Sequence, residues 1–235
     1  MLSTLIIVKC AICTFVKFLE KWQTLAAAMI ALYAAYKANK LIEAQITQAK
    51  GLEDKKIEGL HTAYRASLVL TLTKIVKYCR DSSDILKTCH VNISQKIMPT
   101  PSLKTPNLPE SFEVPIERVI STSSKNNVTA LLISLIRNLQ IFDSRINSMK
   151  NHKANGEIIS ERNVETLIRQ CVHIYSICHP LMEYARFDVE DTECNVGWDV
   201  YENTLRILNY HNEEFENLFL EIDRIKKDGK GPDYY

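Results

Sequence analysis

Apolar residues along this chain recur mostly at steps of three and four, and period-two runs of valine and isoleucine are nearly absent. The pattern predicts an all-α fold. Within it, Trp22 to Tyr36, WQTLAAAMIALYAAY, is an uncharged run that is apolar on every side. It reads as a membrane-embedded helix. From Lys37 to Ile97 there is no proline, and a single stripe continues through Ile57, Leu60, Tyr64, Leu68, Leu72, Ile75, Cys79, Leu86, Cys89 or His90, Ile93 and Ile97. Gly51 and Gly59 each cost about 1 kcal/mol against alanine in a helix interior, so a bend or break is expected near them.

Pro99, Pro101, Pro106, Pro109 and Pro115 then interrupt the periodicity, and residues 99–115 are expected to be extended and irregular. A short helix can start at Pro115. Three further stripes follow. The first covers Asn126 to Lys150 with Val128, Leu131, Leu132, Leu135, Leu139, Phe142, Ile146 and Met149 facing a core. The second opens near Ser160 and carries Val164, Leu167, Ile168, Cys171, Ile174, Tyr175, Cys178, Met182 and Ala185, with Pro180 expected to kink or shorten it. The third runs from Trp198 through Tyr201, Leu205, Leu208, Phe215, Leu218, Phe219 and Ile222 to Ile225 as one helix, stopped by Gly229, Gly231 and Pro232. Long helices joined by short polar loops fold back on one another, so the expected architecture is an N-terminal membrane helix followed by an antiparallel bundle of the four-helix type. The corresponding divisions are an amphipathic segment 1–21, a transmembrane anchor 22–38, a juxtamembrane stalk 39–58, a first bundle helix 59–98, a proline-rich linker 99–115, the remaining bundle helices 116–228 and a disordered tail 229–235.

The anchor assignment rests on its edges. Trp22 lies at one end and Tyr33 and Tyr36 at the other, with Lys37 and Lys40 placed to snorkel outward into the headgroups. Fifteen residues reach only about 22 Å against roughly 30 Å of hydrocarbon, and alanine gains little from lipid, so a buried or interfacial helix and a cleaved secretory signal are the competing readings. Lysines 37, 40, 50, 55 and 56 follow the run and 9, 17 and 21 precede it, a bias that predicts a single-pass protein with its C-terminal domain in the cytoplasm. Ala27, Ala31 and Ala35 form a ridge of small side chains, which in lipid predicts self-association through that face. The stretch FLEKWQTLAAAMIALYAAYKANK resembles the N-terminus of uncharacterised bacterial inner-membrane proteins that carry a soluble helical domain. The resemblance implies attachment to a bacterial inner membrane, with the bilayer as partner, and no activity.

Composition adds limits rather than an activity. A net charge of +1 with 24% charged residues provides no global attraction to nucleic acid, and none is predicted as a partner. Seven scattered cysteines do not form the paired framework of a secreted domain and fit reduced thiols. Cys10 and Cys13 have metal-site spacing but lack a second pair. Cys171, His173, Cys178 and His179 read as core thiols with surface imidazoles. The acidic group Asp188, Glu190, Asp191 and Glu193 reads as a solvated loop, and Glu157, Glu161 and Glu165 as carboxylates complementing a helix N-terminus. No cofactor is expected.

One catalytic pattern remains. Arg206-Ile207-Leu208-Asn209-Tyr210-His211, an Arg followed after four residues by His, is similar to the motif of HEPN-type ribonucleases, in which the pair would act at the scissile phosphate, usually across a dimer. Here the residue after the Arg is apolar, and on an unbroken helix the two side chains diverge by about 140°. The sequence therefore favours a non-enzymatic membrane-anchored interaction or scaffold module. A HEPN-like ribonuclease using Arg206 and His211, and a bundle binding a small ligand or metal, are the alternatives.

Overall fold

The computed structural model describes residues 2–94, 106–154 and 160–232, with side chains described for 14–93, 106–149 and 160–232. Among them are six helices and no strand: α1 (Leu2–Ser94), α2 (Glu113–Thr122), α3 (Asn126–Ala154), α4 (Glu161–Ala185), α5 (Trp198–Ile207) and α6 (Glu216–Lys227). The chain divides into two units, Met1–Ile57 and Glu58–Tyr235.

The first unit is helical from Leu2 onward, and every described side chain from 14 to 57 is exposed. Gly51 does not interrupt α1, nor does Gly59 in the second unit. The membrane assignment is overturned: no helix among the described residues is long and apolar enough to cross a membrane. Gln23, Thr24, Tyr33 and Tyr36 dilute the run, its alanines add little, and Lys21 and Lys37 close it. A single-pass inner-membrane protein with a cytoplasmic C-terminal domain therefore has no span on which to rest. Trp22, Tyr33, Tyr36, Lys37 and Lys40 are instead exposed positions of a helix, with Lys37 Nζ 5.7 Å from the Tyr33 ring centroid and Lys40 Nζ 5.1 Å from that of Tyr36. The side chains of the amphipathic segment before Thr14, Cys10 and Cys13 among them, lie outside the described residues.

In the second unit the expected stripes close on one core. All eight predicted α3 positions, from Val128 to Met149, are buried. The α1 stripe is buried at Leu68, Leu72, Ile75, Cys79, Leu86 and Cys89, while Leu60 remains exposed. The direction of packing follows from the pairs that meet. Arg65 meets Tyr184, Cys79 meets Cys171, and His90 meets Glu161 and Glu165, so this part of α1 runs antiparallel to α4. Helix α4 is the central element, buried on every side from Gln170 to Cys178, and it continues past Pro180 to Ala185. Its polar residues find partners inside: Ser176 Oγ donates to Thr204 Oγ1 (2.9 Å) and Gln170 Oε1 accepts from Arg145 (3.1 Å). Ser82 and Ser83 are likewise buried within α1, and Ser83 Oγ donates to Tyr210 Oη at 2.9 Å.

The third long helix of the sequence reading does not exist as one element. It is a hairpin, α5 then α6, whose arms run antiparallel: Glu202 pairs with Lys226, and Trp198 Nε1 donates to the Lys230 carbonyl at 3.2 Å. The break follows from the end of α5, where Asn209 adopts φ 55°, its N–H donates to the Arg206 carbonyl and the Tyr210 N–H to that of Leu205. That is a Schellman termination with Asn in the left-handed position. The same pattern ends α4 at Phe187 (φ 66°) and α6 at Gly229 (φ 69°). Elsewhere, α2 starts two residues before Pro115, which therefore falls in its first turn, and Phe112 ahead of it is buried in the core. The linker positions Pro99 and Pro101 lie outside the described residues, as do 233–235 of the expected tail. Pro232 is buried.

Candidate functional site

Three side chains with metal-ligating chemistry meet where α1 passes the beginning of α4. His90 is buried on α1, its ring 4.7 Å from that of Phe215 at a 38° tilt, so the imidazole is held in one orientation by packing. Its Nε2 lies 3.3 Å from Glu161 Oε1 and 3.6 Å from Glu165 Oε1. The donor atoms of the three residues are all within 4.8 Å of one another. Glu161 and Glu165 share a face because they are one turn apart, and Ser160 fixes the start of that turn by accepting from the Asn163 N–H at 3.2 Å. Glu161 is 39% exposed and Glu165 14%, which gives the cluster a wet side and a dry side. Burial, and then the Glu161 charge, push the Glu165 carboxyl above its ordinary value, against the opposing effects of His90 and Arg169.

A second polar group is built around Arg65, buried where α1 faces the end of α4. Its guanidinium lies between the rings of Tyr184 (4.1 Å) and Phe187 (4.3 Å), donates through Nε to the Tyr184 carbonyl (2.6 Å) and through Nη2 to that of Val189, and pairs with Glu190 at 3.4 Å. His61 bridges nearby, with Nε2 2.6 Å from Tyr184 Oη and Nδ1 3.0 Å from Thr122 Oγ1. Burial and the Arg65 charge lower its pKa, partly offset by Glu190. All three guanidinium nitrogens of Arg65 are met by carbonyls or a carboxylate of the protein itself, which fits a clamp for the 184–190 turn. It also gives the acidic loop a role: Glu190 answers a basic residue of its own chain.

The thiols are structural. Cys79, Cys171 and Cys178 are buried, and Cys171 Sγ donates to the Cys79 carbonyl at 3.3 Å. The Cys79 thiol is pushed up by its hydrogen bond with Cys171 and by burial, and burial with Cys171 pushes Cys178 up to about 12. Such thiols stay protonated and are poor nucleophiles and ligands. Cys194 is exposed. His173 is buried rather than at the surface, because α4 has no outer face there, whereas His179 is exposed beside Glu183.

Arg206 and His211 fall on either side of the α5 termination, Arg206 in the last helical turn and His211 in the connection to α6, and both are exposed. The helix that was to separate them is broken at Asn209, so the two side chains are not held about 140° apart by helical rotation. The apolar positions of the first unit form a different kind of surface. Phe15, Phe18, Trp22, Leu25, Met29, Leu32 and Tyr36 alternate steps of three and four without a gap, each more than half exposed. Ala27, Ala31 and Ala35 are exposed as well, but belong to other positions of that seven-residue repeat. Compared with protein-family models, with curated proteins and with solved structures, the chain finds no match in any of the three.

The sequence reading missed His90 with Glu161 and Glu165. His90 was visible as an alternative stripe residue and the two glutamates as a turn-spaced pair, yet nothing local states that residue 90 comes level with residue 161. That level is set by the antiparallel register of α1 against α4.

Proposed function

We propose that the protein is a non-enzymatic assembly module, in which copies of the chain associate through the helix of the first unit while the second unit folds around a core of its own. The observation that carries this is the apolar seam at 15, 18, 22, 25, 29, 32 and 36. A repeat of 3.5 residues is the period at which helices supercoil with the same face kept toward a partner. It is self-complementary: a copy in register offers the same residues to the same positions. Asn39 occupies the next position of the repeat, where a single polar residue favours one register. Leu19 and Tyr33, also exposed, widen the seam on one side, as suits a bundle of helices.

Area is adequate. Seven large apolar side chains burying on the order of 100 Å² each bring roughly 700 Å² per chain, close to the ~800 Å² per partner of a standard stable interface. Burial of large apolar groups drives association in water, whereas a ridge of alanines has its packing advantage in lipid, where that force is absent. The seam is therefore the better supported face.

The test is sedimentation equilibrium of the full chain in detergent-free buffer. The wild type is expected to be oligomeric, and Leu25→Asp with Leu32→Asp to shift it to monomer with the helical circular-dichroism signal of the second unit retained. Ala27→Glu with Ala31→Glu should leave the oligomer intact. A monomeric wild type, including one that instead binds lipid vesicles, or a loss of assembly only in the alanine variants, would overturn the proposal.

A further inference from the structure

We infer that His90, Glu161 and Glu165 form a binding site for one divalent transition-metal ion of the zinc or cobalt class, joining α1 to the start of α4. A tetrahedral metal bound at about 2.0–2.2 Å by nitrogen and oxygen donors holds neighbouring donors about 3.3–3.6 Å apart. The His90 Nε2 separations from the two carboxylates are 3.3 and 3.6 Å, and the third edge is no longer than 4.8 Å. These spacings are long for charge-assisted hydrogen bonds, which close to about 2.7–2.9 Å. The two separations from His90 match donors placed around a common point, while the edge between the carboxylates is bounded at 4.8 Å.

The surroundings agree with that assignment. Glu165 Oε1 is buried and accepts no hydrogen bond among the described residues, although a carboxylate has capacity for several. Two carboxylates converge on one imidazole, so with a neutral ring the cluster carries two negative charges, the charge that a divalent ion offsets. One imidazole with two carboxylates suits zinc, cobalt, iron or manganese better than the all-oxygen preference of calcium or magnesium. The exposed side of Glu161 leaves the fourth position open to water. Packing of His90 against Phe215 fixes the ring, which is the orientation a ligating imidazole needs. Two features oppose the ion. The positive end of the α4 dipole lies close by, and Arg169, one turn beyond Glu165 on α4, also acts on that carboxylate. Affinity therefore rests on the two carboxylates together.

The site is separate from the seam of the first unit, and its failure would leave the assembly reading untouched. The experiment is a titration of the full chain, first stripped with chelator, with Co²⁺ followed by visible absorption. One equivalent is expected to produce the d–d bands of a low-coordinate nitrogen and oxygen site, with no sulfur-to-cobalt charge-transfer band in the near ultraviolet. Since loss of an outer-shell partner alone weakens metal sites about 10–100-fold, Glu161→Gln and Glu165→Gln should each weaken Co²⁺ binding at least about tenfold, and His90→Ala should abolish it. Glu161→Gln alters a partly exposed side chain, so its effect is not confused with unfolding. Absence of binding, equal binding by Glu161→Gln and Glu165→Gln, or a thiolate band assigning the metal to cysteines, would each overturn the inference.

Discussion

Two buried or half-buried titratable groups place opposite pH dependences in one domain. His61 has its pKa lowered, first by burial and then by the Arg65 charge, so the unfolded chain takes up this proton more readily than the native one. Its stabilising contribution is complete above the unfolded value of about 6.5 and is lost as pH falls from there through the native pKa. Glu165 is raised, by burial and Glu161, so its contribution is complete below the unfolded value of about 4.3 and is lost as pH rises through the native pKa. Urea unfolding across this range, without added metal, should show Glu165→Gln more stable than wild type at neutral pH and the difference vanishing in acid. His61→Gln should flatten the loss below about pH 6.5. Parallel pH curves for wild type and both variants would refute the assignment. Arg65 shows why such groups escape a reading by polarity. It is a cation only 4% exposed, tolerated because two aromatic faces, two carbonyls and Glu190 replace its water.

Helix ends decide more of this fold than helix interiors. Three of the six described helices finish in a left-handed residue, and only one of those residues is glycine. At Gly229 the conformation carries no Cβ penalty, and the sequence reading found that stop. At Asn209 the same geometry turns one expected helix into the α5–α6 hairpin. Asparagine tolerates the left-handed region better than other residues with a side chain, but it also occurs within helices, so the stop was not legible. Asn209→Ala should therefore destabilise the second unit by about 1 kcal/mol, the left-handed cost to an alanine, while Asn209→Gly should match or exceed wild type. Denaturant midpoints with an unchanged slope would measure both. Equal loss in both variants would mean that the Asn side chain, rather than the backbone angle, holds the turn. Phe187 accepts a similar conformation as a bulky residue, and its ring lies 4.3 Å from the Arg65 guanidinium carbon.

At the scale of the whole molecule, the two units differ in how their apolar surface is used. The second gathers many of its large side chains into one cluster that includes Phe142, Tyr184, Tyr201, Tyr210 and Phe215, with Leu70, Ile133 and Leu220 left exposed outside it. The first leaves its described large side chains exposed, and this contrast underlies the assembly proposal. Closure of the second unit can be read through its thiols. Among the described cysteines, Cys79, Cys89, Cys171 and Cys178 are buried and Cys194 is exposed. A maleimide reagent is expected to modify Cys194 promptly and those four only at the rate of global unfolding, with peptide mapping assigning each site. Rapid labelling of Cys171 or Cys178 in the folded protein would show that the core opens locally.

Sequence alone determined which faces are buried in α3, in most of α4 and in the parts that became α5 and α6, because burial of Leu139 or Ile222 follows from a period of 3.6 residues that is written locally. It also anticipated the non-helical residues 106–112 ahead of α2, though not that helix already begins at Glu113, and it located the stop at Gly229. Whether Trp22 to Tyr36 crosses a membrane was also a matter of sequence, of length and mean hydropathy, which aromatic edges and lysine flanks do not supply. Tertiary structure decided the rest. That Gln170, His173 and Ser176 are inside followed from α4 being surrounded, a property of its neighbours. His90 reached Glu161 and Glu165 through a register between helices some seventy residues apart in sequence, and register is a property of packed surfaces that no local pattern of residues encodes.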